Sequence, residues 1–246
     1  MSGHSKWATI KHKKGALDAK RGKLFTKIIR ELTIASRMGG SDPEMNPKLR
    51  TVVLKAKAAN MPKENMEKAI KKGAGELDGV DYIELQYEAY APGGVGMIIE
   101  TLTDNKNRTA ANVKSILTKG GGQLAAQGAV SYQFNRKGII TYSAEAVDFD
   151  SLFEASLEAG AEDVAENSGI IEVTTEPSDF ANVLEALQEG GFVQLGAELA
   201  MVPDTTVELD NEKISKVLKL IDKIEDDDDV QSVSSNLNIP ADFEME

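Results

Sequence analysis

The spacing of the apolar residues changes once in this chain, near Tyr82, and the change separates a helical part from a part with strands. Before Tyr82, apolar residues recur at three- and four-residue intervals, as on one face of an α-helix. After it, stretches with apolar residues at every second position alternate with short helical patterns. The sequence therefore predicts a helical region followed by mixed domains, and 246 residues are enough for two or three small cores.

Three amphipathic helices are predicted before this change. The first extends from about Asp18 to Arg37 and ends at a pair of glycines. Asn46-Pro47 begins the second, because asparagine caps a helix well and proline fits its first position. Pro62 begins the third, which closes at Gly73. Three short helices with one apolar face each predict a small bundle, and the segment 73–79 predicts a linker.

After this linker the sequence predicts a hairpin and a helix. Strands are predicted at Tyr82 to Tyr90 and at Gly96 to Thr103, with a glycine-rich turn between them. Asn107 is the predicted cap of a helix that reaches about Lys119, and a further strand is predicted at Ala129 to Phe134. The glycine-rich turn lacks the Lys-Ser/Thr pair of a P-loop and no helix follows it, so it predicts a hairpin turn and not a nucleotide site.

The region from Gly138 to Pro203 predicts the order strand, helix, strand, strand, helix, strand, which is ferredoxin-like. It is very acidic and nearly free of lysine and arginine, so we expect it not to contact phosphates. The predicted strands are Ile139 to Tyr142, Asp163 to Glu166, Ile170 to Thr174 and Gln194 to Met201, and the predicted helices are Asp150 to Ala159 and Ser178 to Glu189.

The last part of the chain predicts elements that complete the domain begun at the hairpin: Thr205 to Leu209, a helix from Asn211 to about Ile224, and Val230 to Ser235. The predicted fold class is therefore α+β, with a basic tail and three-helix bundle at 1–78 followed by two α/β sandwich-type domains. The first of these comprises 79–136 with 204–240, and the acidic ferredoxin-like domain, 137–203, is inserted into it.

The first fourteen residues combine four lysines with two histidines and the only tryptophan, Trp7. Lysines neutralise phosphates and release counterions, while a flat ring stacks on a base, so this composition suits a polyanion. A disordered basic tail without a ligand is the alternative interpretation. The first predicted helix continues the charge, because its lysines and arginines lie opposite the apolar face, with Glu31 as the main interruption. A face of nearly one sign favours a binding surface.

The net charge of −12 conceals a strong asymmetry. Residues 1–75 carry a net charge of +12 and the remaining residues −24. The distribution and not the total indicates where a polyanion can dock, so the first 75 residues are the candidate region. The acidic remainder would repel nucleic acid or face a basic protein partner.

Four segments resemble the YebC/PmpR family of probable transcriptional regulatory proteins. They are GHSKWATIKHKKGALDAKRGKLFTK, NPKLRTVVLKAKAANMPKENMEKAIKKG, YEAYAPGGVGMIIETLTDNKNRT and GGQLAAQGAVSYQFNRKG, and the similarity extends from Ser2 to about Leu237. The resemblance implies a three-domain cytoplasmic protein that binds DNA, with the third domain inserted into the second. Some relatives of the family, organellar ones included, are described as acting on translation at the ribosome.

The candidate nucleic-acid-binding residues are those of the basic tail and helix, together with two cations near the start of the helix after the hairpin. The latter lie where backbone N–H groups are unpaired and an anion can bind, although an ordinary helix cap explains the same pattern. The full set is Ser5, Lys6, Trp7, Lys11, His12, Lys13, Lys14, Lys20, Arg21, Lys23, Lys27, Arg30, Arg37, Lys106 and Arg108.

The sequence favours a non-enzymatic regulator and leaves its nucleic acid open. Duplex DNA follows from the family name; ribosomal RNA, with the ribosome as partner, fits the charge split equally, because lysine-rich contacts hold a backbone without reading bases. No helix-turn-helix reading helix is recognisable. We expect no cofactor and a monomer.

Several other classes are disfavoured. The chain has no cysteine, and its two histidines lie among lysines, so neither a metal site nor a common nucleophile–base pair is expected. The acidic run Asp226 to Asp229 lacks the glycine and ligand spacing of a calcium loop and predicts a solvated loop. No apolar run approaches the roughly eighteen residues of a membrane helix, and no secretory signal is expected, so the predicted location is cytoplasmic.

Overall fold

The computed structural model describes residues 17–78, 81–167, 169–240 and 243, with residues 17–21 as helix backbone. In that part of the chain there are seven helices and two four-stranded antiparallel sheets. The helices are α1 Leu17–Gly39, α2 Pro47–Ala58, α3 Lys63–Gly73, α4 Lys106–Lys119, α5 Phe149–Ala159, α6 Phe180–Glu189 and α7 Asn211–Glu225. The strands are β1 Ile83–Tyr90, β2 Gly96–Thr103, β3 Gln123–Leu124, β4 Phe134–Ser143, β5 Asp163–Asn167, β6 Ile170–Thr175, β7 Gly196–Pro203 and β8 Val230–Ser235.

The described chain divides into two compact units. The first unit comprises 17–82 and 137–199 within the described ranges, and the second comprises 83–136 with the described residues from 200 onward. The mixed α/β class is therefore confirmed, whereas the predicted three-domain boundaries stay a prediction. No described helix is both long enough and apolar enough to cross a membrane.

Helices α1, α2 and α3 enclose a small apolar core in the first unit. Ile28, Leu32 and Ala35 of α1 are completely buried in one cluster with Leu49 of α2 and Met66 of α3. The asparagine–proline start of α2 is confirmed: the Asn46 side chain accepts the N–H of Leu49 at 3.1 Å. Its amide also donates to the carbonyls of Ala35 and Gly40, so one cap fixes both helices.

Helix α3 approaches α1 closely at its last turn. A Cβ on Gly73 would lie 2.1 Å from the carbonyl oxygen of Thr33, so only glycine fits there without a shift. The hydroxyl of Ser36 donates to the carbonyl of Ile70 at 2.8 Å in the same place. Small and hydroxyl side chains thus allow two helix backbones to approach and to share hydrogen bonds.

The second part of the first unit contains the predicted sequence of strand, helix, two strands, helix and strand. The strands lie in the order β5-β6-β4-β7. Ile140 and Tyr142 of β4 pack against Leu152 of α5 and Phe180 of α6, and all four side chains are almost completely buried. Leu54 of α2 belongs to the same cluster, so the bundle and this part share a core.

The second unit is built on the sheet β3-β1-β2-β8. The hairpin β1–β2 pairs Tyr90 with Gly96 and Ile83 with Thr103, as predicted, and its turn contains Gly93 and Gly94, both with positive φ. Helices α4 and α7 cover this sheet with the apolar side chains of Val113, Leu117, Ile214, Val217, Leu218 and Ile221.

Two predicted elements are wrong in detail. Helix α4 begins at Lys106 and its cap is Asn105, not Asn107, because the Asn105 side chain accepts the N–H of Arg108. Ala129 to Phe134 is not a strand: a 3-10 turn occupies Ser131–Gln133, since the N–H groups of Val130 and Ser131 bond a carboxylate and cannot join a ladder.

Thr205 to Leu209, predicted to help complete the domain, lies outside the named strands. It forms an isolated parallel bridge in which Val207 pairs with Leu237, and the backbone of Val207 bonds Asn236 and Asn238. The bridge follows β8 along the chain, so the segment lies beyond the end of that strand.

Candidate nucleic-acid interface

The cations of α1 form a row along one face. Lys23, Lys27, Arg30 and Arg37 are four, three and seven residues apart and therefore lie on the same side of the helix. Lys23 is exposed, Lys27 and Arg30 are half-buried, and Arg37 is exposed. At Lys20 and Arg21, near the start of α1, the structure describes only the helix backbone. Outside the described part of the chain lie the tail residues Ser5, Lys6, Trp7, Lys11, His12, Lys13 and Lys14.

The C-terminal half of this row is engaged by the chain that follows the bundle. The guanidinium of Arg30 lies over the ring of Tyr82, 5.4 Å from its centroid, in a cation–π geometry. Arg37 forms an ion pair with Asp81. Between them Ile34 is buried, although it belongs to the face that the sequence predicts to be exposed. Two of the four cations in the row therefore contact the segment that follows the bundle.

The acid that interrupts the row is neutralised within the bundle. Glu31 accepts from Nζ of Lys55 on α2 at 2.8 and 3.0 Å, and both side chains are largely buried. Glu31 therefore contributes less negative charge to the surface than its place among the cations of α1 indicates.

The two candidate cations of α4 have a different surrounding. Lys106 is exposed, whereas Arg108 bonds Asp104 and Asp229, each at 2.7 Å. These hydrogen bonds raise the pKa of the Arg108 guanidinium. The N-terminus of α4 is capped by Asn105, and Thr103 and Thr109 donate to the same Asp229 oxygen at 3.2 and 2.8 Å. The ordinary-cap interpretation thus has a geometric basis, and a phosphate contact of these two residues stays a prediction.

Asp229 corrects the interpretation of the acidic run as a solvated loop. Its side chain is buried, and it is held by a guanidinium and two hydroxyls. Burial raises the pKa of Asp229, but the hydrogen bonds from Arg108 and Thr109 outweigh burial, and the pKa lies below its ordinary value. One member of the run is therefore part of the fold.

Two family descriptions together match most of the chain. Residues 5–76 match the TACO1/YebC protein N-terminal domain, and residues 82–237 match the TACO1/YebC second and third domain. The chain belongs to the TACO1/YebC family. The boundary between the two matches falls in the segment that links the bundle to β1.

Relatives of this TACO1/YebC chain are similar along its whole length. A probable transcriptional regulatory protein of Treponema denticola is 65% identical over 245 residues, covering 100% of this chain and 99% of the relative. One from Treponema pallidum is 59% identical over 243 residues, covering 99% of each. The crystal structure of a conserved hypothetical protein from Aquifex aeolicus has a TM-score of 0.82 and 48% identity, covering 91% of this chain and 92% of that one.

Sequence reasoning missed several surface lysines of this TACO1/YebC bundle. Lys63, Lys68 and Lys71 of α3 are exposed, and Lys63 pairs weakly with Glu67 at 3.6 Å. Their spacing against the buried Met66 and Ala69 is visible in the sequence and would have identified them. Tyr82 gave no such signal, because its partner Arg30 is 52 positions away.

Proposed function

We propose that this protein is a nucleic-acid-binding regulator without catalytic activity, and that it binds through the N-terminal half of α1 together with the basic tail that precedes it. The observation that carries the proposal is the pair Lys23 and Lys27, which present cations one turn apart where α1 continues the tail. Phosphate backbones bind such rows by counterion release. The names of the relatives, probable transcriptional regulatory proteins, favour DNA as the ligand.

A second candidate is a translation factor that binds ribosomal RNA. It is supported by the kind of side chain on the bundle, which offers lysines and few groups that read base edges. A-form RNA is recognised largely by shape and backbone, so a lysine surface suits it. The two candidates share the same interface and differ in the ligand that binds more tightly.

The test is a salt titration with a charge-reversed pair. Lys23→Glu with Lys27→Glu should reduce the slope of log affinity against log salt by roughly two units on duplex DNA, since each lost phosphate contact is worth about 0.9. All sequences should weaken alike, because backbone contacts carry no base information. Fluorescence anisotropy with labelled duplex DNA and with a folded RNA measures both ligands.

The matched control changes the same net charge elsewhere. Lys114→Glu with Lys219→Glu alters two exposed lysines of α4 and α7 and should leave the slope nearly unchanged. An equal loss in both variants would show that only long-range charge matters and would overturn the interface. Tighter, shape-dependent binding of the folded RNA would select the translational function, and a sequence preference that vanishes in the first variant would select transcription.

A further inference from the structure

Helix α5 of the acidic region presents an apolar row to solvent. Phe149, Phe153 and Leu157 are spaced four residues apart, and the rings of Phe149 and Phe153 are 5.9 Å apart. Phe153 is 37% exposed and Leu157 45%, whereas Leu152 and Ser156 point into the core and are completely buried. Phe149 is half-buried and packs partly against the core, so Phe153 and Leu157 are the exposed part of the row.

An acidic row runs beside it. Asp150, Glu154 and Glu158 follow the apolar residues by one position each, so they occupy the neighbouring strip of the helix surface, and all three are exposed. Within the described part of the chain, none of the three carboxylates forms an ion pair. Residues 137–203 contain 14 acidic residues and one lysine, and that lysine, Lys137, is bonded to Glu162 and Glu176.

We propose that these two rows of α5 are a docking site for a lysine- or arginine-rich amphipathic helix of another protein. The apolar row would pack against the apolar side of that helix, and the acidic row would face its cations, so both strips have a complementary partner. Phosphate-bearing ligands are repelled by the acidic row. The site is thus distinct from the cationic row of α1 and extends the function beyond nucleic-acid binding.

The charge of the region decides the kind of partner. An acidic flank on the partner helix would place like charges beside Glu154 and Glu158, and a neutral flank would leave these two carboxylates unpaired. Both arrangements oppose binding. An apolar partner without cations would cover the phenylalanines but force the carboxylates out of water. A basic amphipathic helix satisfies both rows at once.

The test uses the full-length protein and two synthetic helical peptides of identical composition. One has leucines and lysines in adjacent rows at four-residue spacing, and the other has the same residues scrambled. We expect the ordered peptide to bind about tenfold more tightly, because only it buries the apolar row while pairing the acidic one. Anisotropy of the labelled peptides at low and at physiological salt measures the difference.

Two pairs of substitutions separate the contributions of the rows. Phe153→Ser with Leu157→Ser should abolish the preference for the ordered peptide and leave scrambled-peptide binding unchanged. Glu154→Gln with Glu158→Gln should weaken both peptides and reduce their salt dependence. The control, Glu145→Gln with Glu166→Gln, removes two exposed carboxylates of the same region and should preserve the preference.

Three results would overturn the proposal. They are equal binding of the two peptides, a preference that survives the serine substitutions in a protein with unchanged melting temperature, and concentration-dependent self-association that the serine substitutions abolish. The last would make a second copy of this chain the occupant of α5. Nucleic-acid binding should be the same in all α5 variants, which keeps this test separate from that of α1.

Discussion

The helical bundle and the second unit differ in whether their charged side chains lie at the surface or are buried. On α1 the cations lie at the surface, and the bundle is held by apolar side chains and by the close contact of Gly73 with Thr33. In the second unit two carboxylates, Glu88 and Asp229, are buried at 5% and 3% exposure and bonded on several sides. Charge is therefore at least partly exposed in one region and needed for folding in the other.

The two buried carboxylates are held by different donors. Asp229 receives a guanidinium and two hydroxyls, all from side chains. Glu88 receives three backbone N–H groups, from Gly128, Val130 and Ser131, at 2.6, 2.6 and 2.9 Å. Glu88 thereby fixes the loop before β4, whereas Asp229 ties the start of α4 to the start of β8.

The largest loss of stability is expected for Asp229→Asn. An amide cannot match the charge of Arg108, and its NH₂ would face hydroxyl and guanidinium donors, so we expect about 3 kcal/mol less free energy of unfolding. Urea denaturation measures it. Asp228→Asn, at an exposed neighbour, should change the free energy by less than about 0.5 kcal/mol. Equal effects at both positions would mean that burial of Asp229 does not matter.

A smaller loss, about 2 kcal/mol, is expected for Glu88→Gln, because the glutamine amide can accept some of the three N–H bonds but turns donors towards the others. Burial raises the pKa of Glu88, yet the backbone N–H groups outweigh it and the pKa is lowered. As the pH falls, the unfolded chain, whose carboxyl pKa is about 4, therefore takes up a proton at a higher pH than the folded chain does. The stabilisation is thus complete above that pH and is lost as the pH falls through the lower folded value.

Acid titration of stability separates this carboxylate from the others. In the wild type the free energy of unfolding should decrease as the pH is lowered below about 4.5. Glu88→Gln should remove part of that decrease and should also lower the free energy of unfolding at neutral pH. Urea midpoints between pH 3 and pH 7, in steps of about half a unit, record both curves. Parallel curves for the two proteins would show that Glu88 does not titrate with folding.

Local patterns predict well the elements that depend on neighbouring residues. The Asn46 cap, the hairpin from β1 to β2, the bounds of β8 and the order of elements around α5 and α6 follow from cap chemistry and from alternation. The contacts that the sequence patterns did not predict join residues that are far apart in the chain. Asp229 meets Arg108 across 121 positions and Glu88 meets Val130 across 42, and neither side chain shows its partner in the local pattern.

The same limit applies to the candidate interface. Periodicity placed the cations of α1 on one face, but it could not show that Tyr82 and Asp81 return to that face or that Lys55 neutralises Glu31. A cation row read from a helical wheel is therefore an upper bound on exposed charge. Here the return of the chain brings Tyr82 to Arg30 and Asp81 to Arg37, at the C-terminal half of the row.

The smallest effect on stability is expected for Glu31→Gln, and it sharpens the contrast with Asp229. The Glu31 and Lys55 side chains are 19% and 28% exposed, compared with 4% for the Asp229 side chain. Partly exposed pairs of this kind contribute up to about 1 kcal/mol, so we expect a loss of about 0.5 kcal/mol. The net charge of the α1 region would meanwhile rise by one. Affinity for duplex DNA or folded RNA should therefore increase at low salt, with the salt slope steeper by at most about 0.9. Urea denaturation and the anisotropy titration, run on the same preparation, measure the two quantities together. A loss of stability as large as that of Asp229→Asn, or unchanged affinity, would show that charge in the bundle also serves the fold and would end the distinction between the two regions.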